Sequence, residues 1–319
     1  MGRYVLRRIP SALLVLVLAS MLIFLVIRLV PGDPVSTLAG PDATREARDA
    51  IRAELGLDQP LVLQYLDWVA NMFRLDPGKS YMIGGDITDL VKDGLTNTIA
   101  LTATALVMAV TLALLTSIAA LLVDRRWFDS LLAGANTLAV SLPTFVTGVL
   151  LVLVFAVLVP VLPAGGTPPG GLLSRPDITV QYLLMPALCL AVPVAAALTR
   201  FLMEALQTQM EQPYVMTARA LGIRRRRIVL TQALPNALPS TITVLGVQVG
   251  ALLSGAVLVE AIFAWPGLGL LIEQAISSRD YPLVQALLLL SVLVFVVTQL
   301  VTDIVNAWLD PRIRLGGAQ

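Results

Sequence analysis

The chain has 319 residues, of which 57% are apolar and only 13% charged, with a net charge of +1. Soluble domains carry about 25% charged residues, so this composition excludes a wholly water-facing surface and predicts a polytopic, all-α membrane protein. Histidine is absent, which excludes imidazole metal sites and Ser-His-Asp or Cys-His catalysis, and the single Cys189 excludes a disulfide framework within the chain.

The first apolar run, Ile9 to Val30, follows Arg3, Arg7 and Arg8. It is longer than the roughly 7–15 residues of a signal core, and Val30-Pro31-Gly32-Asp33 offers no small-residue cleavage site, so it predicts an uncleaved first span. Arg28 near its far end can snorkel to the headgroups. In the segment 31–94, Asp42 can cap a helix whose Ala47, Ala50, Ile51 and Leu55 share a face, and Gly56 can end it. Asp58-Gln59-Pro60 then starts a second helix with Leu61, Tyr65, Trp68, Val69 and Met72 at helical spacing, read as a packing face. A small helical cap outside the membrane is expected. Gly78-Lys79-Ser80 looks like the tail of a phosphate-binding loop, but the earlier glycine such a loop needs falls at Phe73.

Five further spans are expected at about Asn97–Val123, Leu131–Val159, Tyr182–Phe201, Pro239–Val259 and Leu283–Asn306. Pro143 and Pro193 should kink the third and fourth. The linker Leu162–Pro176, rich in Pro and Gly, reads as an exposed loop. The chain thus divides into a tail and first span (1–30), an extracytoplasmic segment (31–94), a five-helix core (95–310) with an inner loop at about 201–238, and a tail (311–319).

Basic residues set the orientation. Arg219 and the run Arg224 to Arg227 lie in the loop after the fourth span, and Arg312 and Arg314 in the final tail. The segment 31–94 holds six basic residues against eleven acidic ones. Both termini are therefore expected in the cytoplasm.

Polar groups in or near spans are costly and are candidates for a translocation path: Asn97, Asn136, Gln248, Ser254 and Glu260. Each could line a wet cavity or bond a neighbouring helix. Gly246, Gly250 and Ser254 recur every four residues, a small-residue face suited to close helix packing. Cys189 reads as a small buried hydrophobe.

The stretch Gln212 to Ile223 is the most informative. After Pro213 it favours helix until Gly222, which can take the left-handed conformation that closes one. Four arginines, a second helical run and Leu234-Pro235 follow. A helix, a glycine turn and a second helix form a knob able to dock into a groove on another protein; the alternative is a plain basic loop that fixes topology.

These residues resemble the "EAA" loop of ABC importer permeases. Ala218, Gly222, Leu234 and Pro235 match that pattern, while Met216, Thr217 and Gln232 stand at its Glu, first Ala and Ile positions. Glu260 to Gly269, Arg279 to Gln285, Pro31-Gly32-Asp33-Pro34 and Leu55 to Leu61 are similar to the first permease of the peptide/nickel subfamily. Ala286 stands where a glycine often follows the Val-Gln pair, and Leu75-Asp76-Pro77-Gly78-Lys79-Ser80 departs from a usual Gly-Asp-Leu-Gly stretch.

The resemblance implies the type I importer permease fold, with six spans and a helical extracytoplasmic insertion. It implies a bacterial plasma-membrane permease for peptides, without an active site or cofactor of its own. ATP and Mg would be bound by partner subunits. The partners would be a related second permease, two cytoplasmic ATPase domains and an extracytoplasmic binding protein, with lipid around the spans and no nucleic acid. The ATPase-contacting loop would comprise Tyr214, Thr217, Ala218, Arg219, Ala220, Leu221, Gly222, Leu234 and Pro235. Nickel, glutathione or another solute remains an alternative cargo. A secondary transporter and a membrane enzyme are less suited, because acidic residues are scarce at span centres and no nucleophile–base constellation is visible.

Overall fold

The computed structural model describes residues 2–29, 35, 39, 43–54, 56–172 and 174–309. The expected cap Asp42, the motif at 31–34, Leu55 and the tail 311–319 lie outside them. Among the described residues the protein is helical, with five helices long and apolar enough to cross a membrane and a sixth candidate broken in two. The helices fall into two units, residues 97–266 with 298 onward, and residues 5–96 with 267–297.

The larger unit is built on α4 (Ile87–Val123), α5 (Arg126–Ser141), α6 (Thr144–Val152), α7 (Pro176–Met210) and α10 (Leu234–Ile262). Along α4, Leu101, Ala105, Ala109, Ala113, Ser117 and Leu121 recur every four residues and are all buried. This mostly small face admits Met185, Cys189, Leu190, Val194 and Leu198 of α7 together with Leu252, Ala256 and Val259 of α10. Cys189 is fully buried there, as its apolar surroundings suggested.

Pro143 breaks the third span outright. Leu142 takes an extended conformation (φ −76, ψ 124), as the residue before a proline prefers, and the helices on either side meet at 102°. The expected kink is thus a sharp corner. By contrast, α7 runs as one helix through Pro186 and Pro193. The linker after the third span is also less free than expected. The Gly166 N–H donates to the Phe263 carbonyl at 2.8 Å, and at Gly165 a Cβ would collide with that same carbonyl oxygen.

The smaller unit holds α1 (Gly2–Leu29), α2 (Arg45–Glu54), α3 (Leu61–Phe73), the start of α4, α11 (Leu268–Ser277) and the start of α12 (Tyr281–Leu309). Gly56 ends α2 in the left-handed region (φ +65), and the Leu57 N–H closes on the Arg52 carbonyl at 3.0 Å. Ala47 and Ala50 of the expected packing face are exposed on α2, and the side chain of Ile51, like Leu55, lies outside the described residues. On α3, Tyr65 and Trp68 pack on Phe24 of α1, and Met72 joins a core of Ile87, Leu268, Leu283 and Leu287, while Leu61 remains exposed.

A buried carboxylate organises the turns of this unit. Asp280 precedes α12 and accepts the Leu283 N–H at 3.3 Å, capping that helix. Its other oxygen accepts the Ser80 hydroxyl at 2.5 Å and the Met82 N–H at 2.9 Å. Ser80 in turn accepts the N–H groups of Ile83 and Gly84, each at 3.1 Å. Gly78-Lys79-Ser80 is therefore the start of a side-chain-tied turn.

Candidate functional site

The hairpin after α7 is built from short-range signals. Pro213 occupies the first turn of α8 (Pro213–Ala220), where its missing N–H costs nothing. Gly222 ends the helix with φ +77; its N–H reaches the Arg219 carbonyl at 2.9 Å, and the Ile223 N–H reaches Ala218 at 3.1 Å. That pair of bonds satisfies carbonyls that the helix end would leave open.

The chain then re-enters helix at α9 (Arg225–Ile228), passes through a π turn at Val229–Ala233 and continues into α10. The second arm of the hairpin is thus the beginning of the fifth span, a run of 38 residues from Arg225 to Ile262. The first arm follows α7, which extends nine residues past Phe201, where the apolar run was expected to end.

One face of α8 is fixed and the other is open. Val215 and Ala218 are buried with Leu206, Met210, Ile228, Val229 and Ala233. Tyr214, Thr217, Arg219, Ala220, Leu221 and Gly222 are exposed, Leu221 by 75% and its neighbour Met216 by 66%. Leu234 packs against the hairpin core, whereas Pro235 is exposed. The Tyr214 hydroxyl donates to Gln209 at 2.9 Å, and the Thr217 hydroxyl donates to the Pro213 carbonyl at 3.1 Å. The open face is therefore apolar at its centre and rimmed by arginines, an arrangement suited to a protein groove with acidic edges.

In the sequence Arg225 is one of four consecutive arginines. In the structure its Nε donates to the Leu121 carbonyl at the end of α4 at 2.8 Å, and its guanidinium pairs with Asp124. A cation on the last carbonyls of a helix complements the helix dipole. This side chain, with Leu121 and Leu114 packed on the hairpin core, ties the hairpin to a third helix, and the separation of 104 positions leaves no local signal of the bond.

Two of the path candidates come together at the other end of α10. Glu260 is fully buried and accepts the Thr98 hydroxyl at 2.6 Å. Asn97 donates to the Pro266 carbonyl at 2.9 Å, and its own carbonyl accepts the Trp265 indole N–H at 3.0 Å. Both groups therefore bond neighbouring segments of the chain. Asn136 lies half-buried on α5, Gln248 half-buried on α10 and Ser254 exposed on α10. The small-residue face divides: a Cβ at Gly246 would strike the Thr302 side chain, whereas nothing lies within 4 Å at Gly250.

Two family descriptions match. Residues 109–315 match the binding-protein-dependent transport system inner membrane component, and residues 1–102 match the N-terminal part of such membrane components. The chain is 35% identical over 314 residues, 98% of its length and 99% of the relative's, to the glutathione transport system permease protein GsiC of Escherichia coli. The same values hold for that of Shigella dysenteriae and for a putative peptide transport system permease protein of Brucella abortus. These matches cover nearly the whole chain and agree with its helical spans. The chain belongs to the inner-membrane permease family of binding-protein-dependent ABC importers, and its role is transport across that membrane.

Proposed function

We propose that the chain forms half of a pathway for small peptides, delivered by an extracytoplasmic binding protein and moved by ATP hydrolysed on partner subunits. A related second permease supplies the other half, and two ATPase domains, with their ATP and Mg, sit on the cytoplasmic side. In this reading both termini and the hairpin are cytoplasmic, in keeping with Arg219 and Arg224 to Arg227. This chain contributes shape and leverage and has no active site or cofactor of its own.

The observation that carries the reading is the hairpin itself: a short helix with an open apolar face, mounted between two helices that continue into spans. A push on Met216 and Leu221 from a closing ATPase would be passed to α7 and α10 as rigid-body tilting, because α8 is packed through Val215 and Ala218 onto Leu206 and Met210 of α7 and onto the turns that lead into α10. Peptide is favoured as cargo because relatives along the whole chain are described as peptide and glutathione permeases, and glutathione is itself a tripeptide. Nickel is disfavoured by the absence of histidine.

The test is uptake by proteoliposomes containing the assembled importer, with ATP hydrolysis measured in parallel. Wild-type assemblies should accumulate peptide only with ATP inside the ATPase compartment. Gly222→Val should insert normally, hydrolyse ATP and fail to transport, because a β-branched residue resists φ +77. Transport without ATPase partners, or normal uptake by Gly222→Val, overturns the coupling role. Competition between dipeptides and glutathione for the binding protein decides the cargo.

A further inference from the structure

We infer that α3 is seated in the membrane alongside α1, with a second apolar stripe against lipid acyl chains in the leaflet that holds the C-terminal end of α1. The sequence alone reads this helix as part of a cap outside the membrane. The inference rests on α1 being a span and not on the identity of the cargo.

Depth is the first argument. The apolar span in α1 runs from Arg8 to Leu29, 22 residues, which matches a hydrocarbon core about 30 Å thick. Ser20 lies nine residues before Leu29, or roughly 13 Å down the helix at 1.5 Å per residue. The hydroxyls of Ser20 and Tyr65 are 2.8 Å apart, and the Phe24 ring sits 5.5 Å from the Tyr65 ring and 6.0 Å from that of Trp68. Ser20 and Phe24 are also the buried positions of α1 among its described side chains. A helix touching these two residues lies beside the apolar span, below the level at which α1 ends.

The second argument is the arrangement of α3 itself. Tyr65, Trp68 and Met72 form its inner stripe. Val62, Leu66, Val69 and Phe73 recur at spacings of four, three and four and form a separate stripe about a quarter turn away. Val62, Leu66 and Phe73 are exposed, Phe73 by 85%. Gln64, Asp67, Asn71 and Arg74 occupy the remaining arc. An apolar arc wider than half the circumference leaves only a narrow polar face for water, as suits a helix with most of its surface covered by protein and lipid.

Continuity is the third argument. Leu18, Met21, Leu22 and Leu25 of α1, at the depth of Ser20 and Phe24, are exposed and have the same apolar character. Acyl chains that cover α1 at this depth cover the outer stripe of α3 as well, whereas water there would face unfavourable apolar surface on both helices.

The test is nitroxide accessibility in the full-length chain, reconstituted in nanodiscs of phosphatidylethanolamine and phosphatidylglycerol. Labels are placed at Leu66→Cys, Val62→Cys and Phe73→Cys, each an exposed position, with buried Cys189 left in place; Asp76→Cys in the following turn is the aqueous control. Seating in lipid predicts that the ratio of oxygen to nickel-chelate collisions is several-fold higher at Leu66 and Val62 than at Asp76. Lipids brominated on their acyl chains should likewise quench a fluorophore at Leu66. A nickel-chelate collision rate at Leu66 equal to that at Asp76 overturns the inference in favour of water. Low collision rates with both reagents overturn it in favour of a protein partner.

Discussion

Ser80 and Asp280, two hundred positions apart, share a hydrogen bond of 2.5 Å in which the serine hydroxyl donates to a fully buried carboxylate. The same carboxylate accepts two backbone N–H groups, one from the turn after Ser80 and one from the first turn of α12. Asp280→Ala therefore removes a helix cap, at about 1 kcal/mol. It also strands the Ser80 hydroxyl and the Met82 N–H, each at about 1–3 kcal/mol if no water replaces the oxygen. Together these give a loss of about 3–7 kcal/mol, with Ser80→Ala losing less. Reaction of the only cysteine, fully buried Cys189, with a fluorogenic maleimide during heating reports the unfolding midpoint. An unchanged midpoint in Asp280→Ala rules out this role.

The four arginines of the hairpin should not behave alike. Arg225 alone among them bonds the end of α4 through the Leu121 carbonyl, and its ion pair with Asp124 is partly exposed and worth little by itself. Arg225→Gln should lower stability by about 1–2 kcal/mol, mostly through the lost charge-assisted bond to the carbonyl. Arg226→Gln and Arg227→Gln should stay within about 0.5 kcal/mol of the parent. In the assembled importer, Arg225→Gln should reduce peptide uptake per ATP hydrolysed. Equal effects at all four positions would show that charge alone matters there.

Local chemistry made much of this architecture readable in advance. Gly56 and Gly222 act through their own backbones, so two helix ends follow from residue type, whereas proline alone does not tell the corner at Pro143 from the unbroken helix through Pro193. Counting apolar runs locates the part of a helix inside lipid but misses its polar ends. Helix α4 begins at Ile87, ten residues before the expected start, and α10 is reached through helical turns beginning at Arg225. The short helix α11 has too few residues to stand out from a loop between two spans. Links such as Arg225 to Leu121, across 104 positions, leave no periodic trace. Asn97 and Glu260 illustrate the same limit at the candidate site: an amide or carboxylate near an apolar run reads identically whether it faces water or, as here, a carbonyl and a hydroxyl.

Gln232 stands where the family pattern has isoleucine, and its Oε1 is buried without a hydrogen-bond partner. An unsatisfied buried oxygen costs about 1–3 kcal/mol. Gln232→Ile should therefore raise the unfolding midpoint, by the equivalent of about 1 kcal/mol after allowing for an imperfect fit in the π turn. A drop in the midpoint would mean that the amide is satisfied in the membrane-bound protein.

Leu75 ends α3 with φ 58, in the left-handed region, and its side chain is 81% exposed. The strain of a side chain there is roughly 1–2 kcal/mol, and the added backbone freedom of glycine in the unfolded chain takes back about 0.5–1 kcal/mol. Leu75→Gly should give a net gain of up to about 1 kcal/mol because little packing is lost. The same thiol-reactivity scan measures it, and a lower midpoint would place the Leu75 side chain in a contact that the isolated chain does not contain.

Gly246 and Gly250 separate two uses of a small-residue face. At Gly246 a Cβ would run into the Thr302 side chain, whose hydroxyl donates to the Gly246 carbonyl at 3.3 Å, so Gly246→Ala forces the helices apart. Overpacking of this kind costs about 1–3 kcal/mol. At Gly250 nothing lies within 4 Å, and alanine is the better helix former by about 1 kcal/mol. Gly250→Ala should therefore leave the isolated chain as stable as the parent or more so. If the open side of α10 receives the second permease, Gly250→Leu should weaken recovery of that subunit in a gently solubilised complex while the chain's own unfolding midpoint holds. Loss of recovery together with a lowered midpoint would instead mean that Gly250 packs within the chain, and unchanged recovery would leave that side of α10 facing lipid or the pathway.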